Sequence, residues 1–169
     1  REHIGMAFHH SKGLPFTSLR LATVYGPRMR PDALVRVFLD AALNGGEIRL
    51  EGGGAQIRPF VHVDNVVDDI AAVLAIQAAP HPEYAVAGRT FNVVTDHDSI
   101  GGLASRALAA AINLRRPGCR LMTTTARTAE VGHVSMSRGA GALASGQRVR
   151  SIELKDGIPA TARAMLEGR

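Results

Sequence analysis

The sequence predicts an α/β chain with at least some parallel strand pairing, and three observations predict it. Short β-branched and aliphatic runs alternate with longer segments of helical periodicity. The first such run, Leu19 to Val24, reads as a buried strand that expects parallel neighbours. Loops carrying Arg28, Arg30 and Arg58 stand beside the ends of short strands, where open α/β sheets bind ligands.

Taken in order, residues 1–11 read as a helix with Ile4, Ala7 and Phe8 on one face. The chain opens without Met and without an N-cap, which reads as a fragment. Gly13 stops the helix, and Thr17 to Val24 is a strand ending in the Gly26-Pro27 turn. Asp32 is placed to cap a helix running to Leu43, with Leu34, Val35, Phe38, Leu39 and Ala42 as its apolar stripe. Glu47 to Glu51 alternates as a half-exposed strand, and Gly52-Gly53-Gly54 lets the backbone turn tightly. A strand from Phe60 to Val63 follows, with Arg58 at its mouth.

Asp64 then reads as the N-cap of a long helix whose Val66, Val67, Ile70, Ala71, Val73 and Leu74 face inward. Residues 79–88, with Pro80 and Pro82, form a surface loop, and Thr90 to Val94 is a strand. Ser99 begins an Ala-rich helix to about Asn113. Arg120 to Thr125 is the next strand, and 128–146 is irregular. An amphipathic helix from Lys155 to Gly168 closes the chain, with Pro159 in its first turn. The second half therefore reads as a smaller α+β lobe.

Composition narrows the function. Of 169 residues, 46% are apolar and 21% charged, the balance of an ordinary globular protein, and no apolar run approaches the roughly 18 residues of a membrane span. Cys119 stands alone, which excludes a disulfide framework or a thiolate metal site and fits a reducing cytoplasm. The net charge of +5 is spread singly along the chain with few aromatics, the pattern of solvated surface plus one anion site rather than of nucleic-acid binding. His3, His9 and His10 share no ligand spacing with a carboxylate, and Asp96, His97 and Asp98 read better as capping residues than as a metal site.

Arg58, between a glycine turn and a strand, suits a bidentate grip on a pyrophosphate, or equally a surface pair with Asp64. Arg127 and Glu130 suit a phosphate and a ribose diol, or an exposed i,i+3 ion pair. Gly52 to Gly54 lacks the spacing of a phosphate-cradling loop, and no Ser nucleophile elbow is present.

The run LPFTSLRLATVYGPRMRPDALVRVF, then IRLEGGGAQIRPFVHVDNVVDDIAAVL, then RTFNVVTDHDSI resembles the NAD-dependent epimerase/dehydratase family, the extended short-chain dehydrogenases acting on nucleotide sugars. The form Thr23-Val-Tyr-Gly-Pro27 with Arg30-Pro31-Asp32 is most similar to the branch acting on UDP-uronic acids. The resemblance implies the C-terminal part of a Rossmann-like fold. Residues 1–46 would then end the parallel sheet, and 47–169 would form mainly the substrate-binding lobe.

It also implies a role for each matched position. Thr23, an Asn in most of the family, would touch the substrate phosphates and Leu34 would line the nucleotide pocket. The strand of Arg49 and Glu51 would border the base, and Arg58 would grip the pyrophosphate beside Pro59, where the family has Asp. Arg127 would hold a second phosphate and Glu130 the ribose. No catalytic residue falls among these. The glycine-rich NAD loop, the catalytic Ser/Thr and the Tyr-x-x-x-Lys pair are absent, the last expected just upstream of Arg1.

The implied whole is an NAD-dependent enzyme that 4-epimerises a UDP-sugar, commonly a homodimer, of which this chain alone is inactive. The rival reading is a non-catalytic nucleotide-binding or interaction remnant.

Overall fold

The computed structural model describes residues 1–78, 85–126, 128, 131–137 and 151–168. Strands and helices alternate, and the strand pairs are mostly parallel, so the α/β expectation holds. Helix α1 (Glu2–Lys12) ends at Gly13 in the left-handed region and leads into β1 (Thr17–Leu21), which pairs in parallel with β5 (Arg89–Val93).

The single strand read over 17–24 is in fact two. Ala22 separates β1 from β2 (Thr23–Tyr25), and the pieces join different sheets: Ala22 N–H still donates to Val93 O, whereas Thr23 already faces Phe60. The burial expected of this run also fails: between Leu19 and Val24 only Ala22 is buried, and Leu21 and Val24 are 45% and 36% exposed.

Helix α2 (Leu34–Asn44) starts after Ala33, one residue beyond the expected Asp32 cap. Asp32 pairs instead with Arg30 at 3.1 Å, so no side chain caps α2. β3 (Glu47–Glu51) has the expected bounds and pairs in parallel with β7 (Arg120–Thr124). Gly52, Gly53 and Gly54 all adopt positive φ, between 56° and 73°, a run that only glycine makes without strain.

β4 (Ile57–His62) begins three residues earlier than expected, which puts Arg58 inside the strand rather than at its mouth. It pairs in parallel with β2 and antiparallel with β6 (Asp96–Ser99), a polar strand that its sequence did not advertise.

Helix α3 (Val63–Ala78) contains Asp64 instead of being capped by it. Its buried side chains are Asn65, Val66, Asp69 and Val73; Val67 and Leu74 are 57% and 60% exposed, and Ile70 and Ala71 also face outward. The apolar face expected on α1 is likewise exposed at Ile4, Ala7 and Phe8.

Helix α4 (Ile100–Asn113) starts as expected, with Ser99 Oγ accepting from Gly102 N–H at 2.9 Å. Helix α5 (Leu154–Leu166) carries Pro159 in its second turn rather than its first. The main core lies where α2, α4 and α5 meet the sheets, around Tyr25, Phe38, Leu39, Phe60, Leu103 and Ile158. No helix among the described residues is long and apolar enough to cross a membrane.

Candidate functional site

A cleft of about 920 Å³ opens beside the start of β2, the start of α2, the end of β3 and the first half of β4. Five of the seven residues singled out in the sequence line it: Thr23, Leu34, Arg49, Glu51 and Arg58. Arg127 and Glu130 lie outside the described residues.

Each position follows from local structure. The break at Ala22 releases Thr23 into the second sheet, where it begins β2 beside the cleft. Leu34 is the first residue of α2, and with Ala33 it brings an uncapped helix start to the wall; the free N–H groups there favour an anion. In β3, Ile48 and Leu50 are buried, so alternation sends Arg49 and Glu51 to the cleft side.

The three described arginines of the cleft are not equivalent. Arg30 pairs with Asp32, and Arg49 donates to Glu47 at 2.7 Å while remaining 75% exposed. Arg58 is half-buried, and among the described residues it has no carboxylate partner; its Nη1 donates only to the carbonyl of Ile57 at 2.9 Å. The surface pair with Asp64 does not form, since Asp64 lies 3.6 Å from His62 Nδ1. Across the ladder Arg58 faces Asp98, but that carboxylate is engaged by Arg106 Nε at 2.7 Å and by Ser99 N–H at 2.8 Å. A partly desolvated guanidinium with no carboxylate partner among the described residues is able to take two oxygens of an anion.

Sequence reasoning missed Met29, Phe38, Gln56 and Ile100 as cleft residues. Phe38 could have been found, because it stands one helical turn after Leu34 on the same face. Ile100 follows the Ser99 cap, and Gln56 precedes Arg58 by two, but neither position carries a signal by itself.

Behind the cleft, Tyr25 and His62 meet edge to face with ring centroids 5.2 Å apart, both almost fully buried. Burial pushes the Tyr25 phenol up, with Asp96 and Asp156 adding to it, and pushes the His62 imidazole down against the opposing pull of Asp64. The residues once weighed as a metal site go separate ways. Asp96 accepts from Leu154 N–H at 2.9 Å, His97 Nε2 accepts from Met136 N–H at 3.0 Å, and Asp98 holds Arg106. Among the described residues no three His, Cys, Asp or Glu gather to hold a metal.

Compared with known proteins, residues 1–113 match the model of the NAD dependent epimerase/dehydratase family. The chain belongs to that family. A probable UDP-glucuronate 4-epimerase of Rhizobium meliloti is 39% identical over 69 residues, 41% of this chain and 20% of that one. A dTDP-glucose 4,6-dehydratase of Xanthomonas campestris is 28% identical over 116 residues, 69% of this chain and 31% of that one.

Among solved structures, the Bacillus cereus UDP-glucuronic acid 4-epimerase, in complex with UDP-glucuronic acid and NAD, superposes with a TM-score of 0.79 at 20% identity. That match covers 99% of this chain and 50% of that one. The chain thus spans about half the length of the solved relative and less of the curated ones. The shared architecture is the Rossmann-like one of extended short-chain epimerases and dehydratases.

Proposed function

We propose that this chain is the C-terminal, substrate-binding portion of a nucleotide-sugar epimerase, serving NAD-dependent 4-epimerisation of a UDP-sugar in the complete enzyme. One observation carries the reading: Thr23, Leu34, Arg49, Glu51 and Arg58 converge on one cleft in which Arg58 has no carboxylate partner among the described residues. In this reading Arg58 takes pyrophosphate oxygens with its planar fork, and the Thr23 hydroxyl and the uncapped start of α2 donate to the same group. Leu34 and Phe38 supply the apolar wall of the nucleoside, and the backbone at Arg49 and Glu51 borders the base. Arg127 adds a second phosphate contact and Glu130 a ribose contact. The Thr23-to-Pro27 run followed by Arg30-Pro31-Asp32 favours a uronic acid as the sugar, in keeping with the names of two of the proteins compared above.

NAD supplies the hydride acceptor when bound. The described residues do not fit it: the glycine turn at Gly52–Gly54 leads into strand β4, so it presents no helix amides to a dinucleotide. Hydride transfer is therefore assigned to the complete enzyme, a cytoplasmic homodimer in this reading. What these residues contribute is remote binding energy that fixes the sugar for reaction.

Calorimetric titration of the chain with UDP, UMP and NAD tests this. UDP is expected to bind, UMP more weakly because it lacks the second phosphate, and NAD not at all. Failure of UDP to bind, or equal binding of UDP and UMP, overturns the pyrophosphate assignment.

A further inference from the structure

The two strands that bring polar groups to the cleft share no ladder. β3 pairs with β7, and β4 pairs with β2 and β6, so among the described residues no strand-to-strand hydrogen bond fixes Glu51 relative to Arg58. The link between the strands runs from Gly52 to Gln56 and opens with three consecutive glycines at positive φ, the most permissive backbone a chain can have. An unbraced turn of this kind would leave the distance between the two walls loose. A misplacement of about an ångström is enough to weaken a bidentate anion contact severely.

One side chain spans the gap. Gln56 is only 7% exposed and lines the cleft, and its Nε2 donates to the carbonyl of Glu51 at 2.7 Å, back across the glycines. Its main-chain carbonyl accepts the N–H of Ile100, the first residue of α4, at 3.0 Å. One residue thus joins the end of β3, the lead into β4 and the start of α4. All three joined residues, Glu51, Gln56 and Ile100, lie on the cleft wall. The amide orientation is fixed by what it bonds, since only the NH₂ end can donate to a carbonyl.

We infer that Gln56 is a positioning residue of the cleft: by tying Glu51 and Ile100 across the triglycine turn, it sets where Arg58 stands when an anion arrives. The inference rests on the reading of the cleft as a nucleotide diphosphate site, and it deepens that reading by naming the group that makes Arg58 effective. Gln56 acts through Arg58 and takes no phosphate contact itself.

A double-mutant cycle with UDP titration tests it. Gln56→Met keeps the length of the side chain and removes the donor. It is expected to weaken UDP about tenfold in the wild-type background, the size of one lost buried hydrogen bond. In the Arg58→Met background the same change is expected to cost less than about twofold, because the group it positions is gone. Far-UV circular dichroism of each variant reports the fold, and Gln56→Asn, too short to reach Glu51, supplies the same cycle should the Met variant not fold.

Equal loss in both backgrounds, or no loss in either, overturns the role of Gln56 and leaves the nucleotide reading standing. Absence of UDP binding by the wild-type chain removes the nucleotide reading itself.

Discussion

Asn65 and Ile152, 87 residues apart, exchange two hydrogen bonds: the Asn65 amide donates to the Ile152 carbonyl at 2.8 Å, and Ile152 N–H donates to Asn65 Oδ1 at 3.0 Å. A side chain here imitates a strand partner. It fastens the lead into α5 to the first turn of α3, and the same amide reaches Thr95 Oγ1 at 3.0 Å. Asn65→Leu would leave both main-chain groups of Ile152 without partners. The expected cost is about 2–3 kcal/mol, read as a lowered urea midpoint with an unchanged slope.

The arginines of the cleft should separate in binding. Arg58→Ala is expected to lower UDP affinity by about 1.5–3 kcal/mol, the range of a hydrogen bond to a charged group. Arg49→Ala should change it by less than about 0.5 kcal/mol, because that side chain is exposed and already spends its charge on Glu47. Titrations of both variants with UDP decide the point; equal losses would mean that charge alone, and not placement, holds the ligand.

Tyr25 and Gly157 make a coupled pair. The phenol oxygen is buried without a hydrogen-bond partner among the described residues, and a methyl added at Gly157 would run into it. In an open helix Gly→Ala gains about 1 kcal/mol. Here Gly157→Ala is expected to destabilise by about 1–3 kcal/mol through overpacking, with Tyr25→Phe recovering part of that loss. Tyr25→Phe alone should be neutral or mildly stabilising, since it removes an unpaired polar atom. Thermal melts of the three variants provide the check.

Stability should also respond to mild acid through His62. Burial lowers its pKa in the folded state, so the unfolded chain binds the proton more readily. The contribution is complete above the ordinary histidine value near 6.5 and is lost as the pH falls below it. His62→Gln should flatten that part of the profile. Asp96 runs the other way: burial raises its pKa, so its contribution is present in acid and lost as pH rises through the folded value. Asp96→Asn, which still accepts from Leu154 N–H, should remove that second slope. Denaturant midpoints measured from pH 4 to 8 would show both.

Much of this was legible in the sequence where local signals decide. Ser99 caps α4 because its hydroxyl needs only an N–H three residues on, and the alternation of Glu47 to Glu51 reports its own buried face. What was misread depended on distant partners. Periodicity set Val66, Val67, Ile70, Ala71, Val73 and Leu74 inward together, yet of these only Val66 and Val73 are buried, no described element covers the others, and the helix buries Asn65 and Asp69 as well.

Strand β6, spelled Asp-His-Asp-Ser, has no β-branched residue, and exists because β4 offers it an edge. Cleft residues were found where family motifs mark them. Gln56 was passed over because its function lies in a contact five residues back, which no motif displays.

The attachment of α1 has a further consequence. This helix fully buries none of its residues; Gly5 lies against the Phe16 ring and His9 against Gly88, and the Glu2 carboxylate takes two bonds from Arg20, at 2.8 and 3.0 Å, and one from the Thr90 hydroxyl at 3.1 Å. A contact of that kind is governed by ionic strength rather than by apolar burial. The chain therefore has two layers of cohesion with different solvents as their enemies. Denaturant must reach the core beneath α2, α4 and α5 before the cleft is lost, whereas salt alone loosens α1 and leaves the cleft intact. Amide exchange at α1 should quicken with added sodium chloride while exchange in α4 stays where it was.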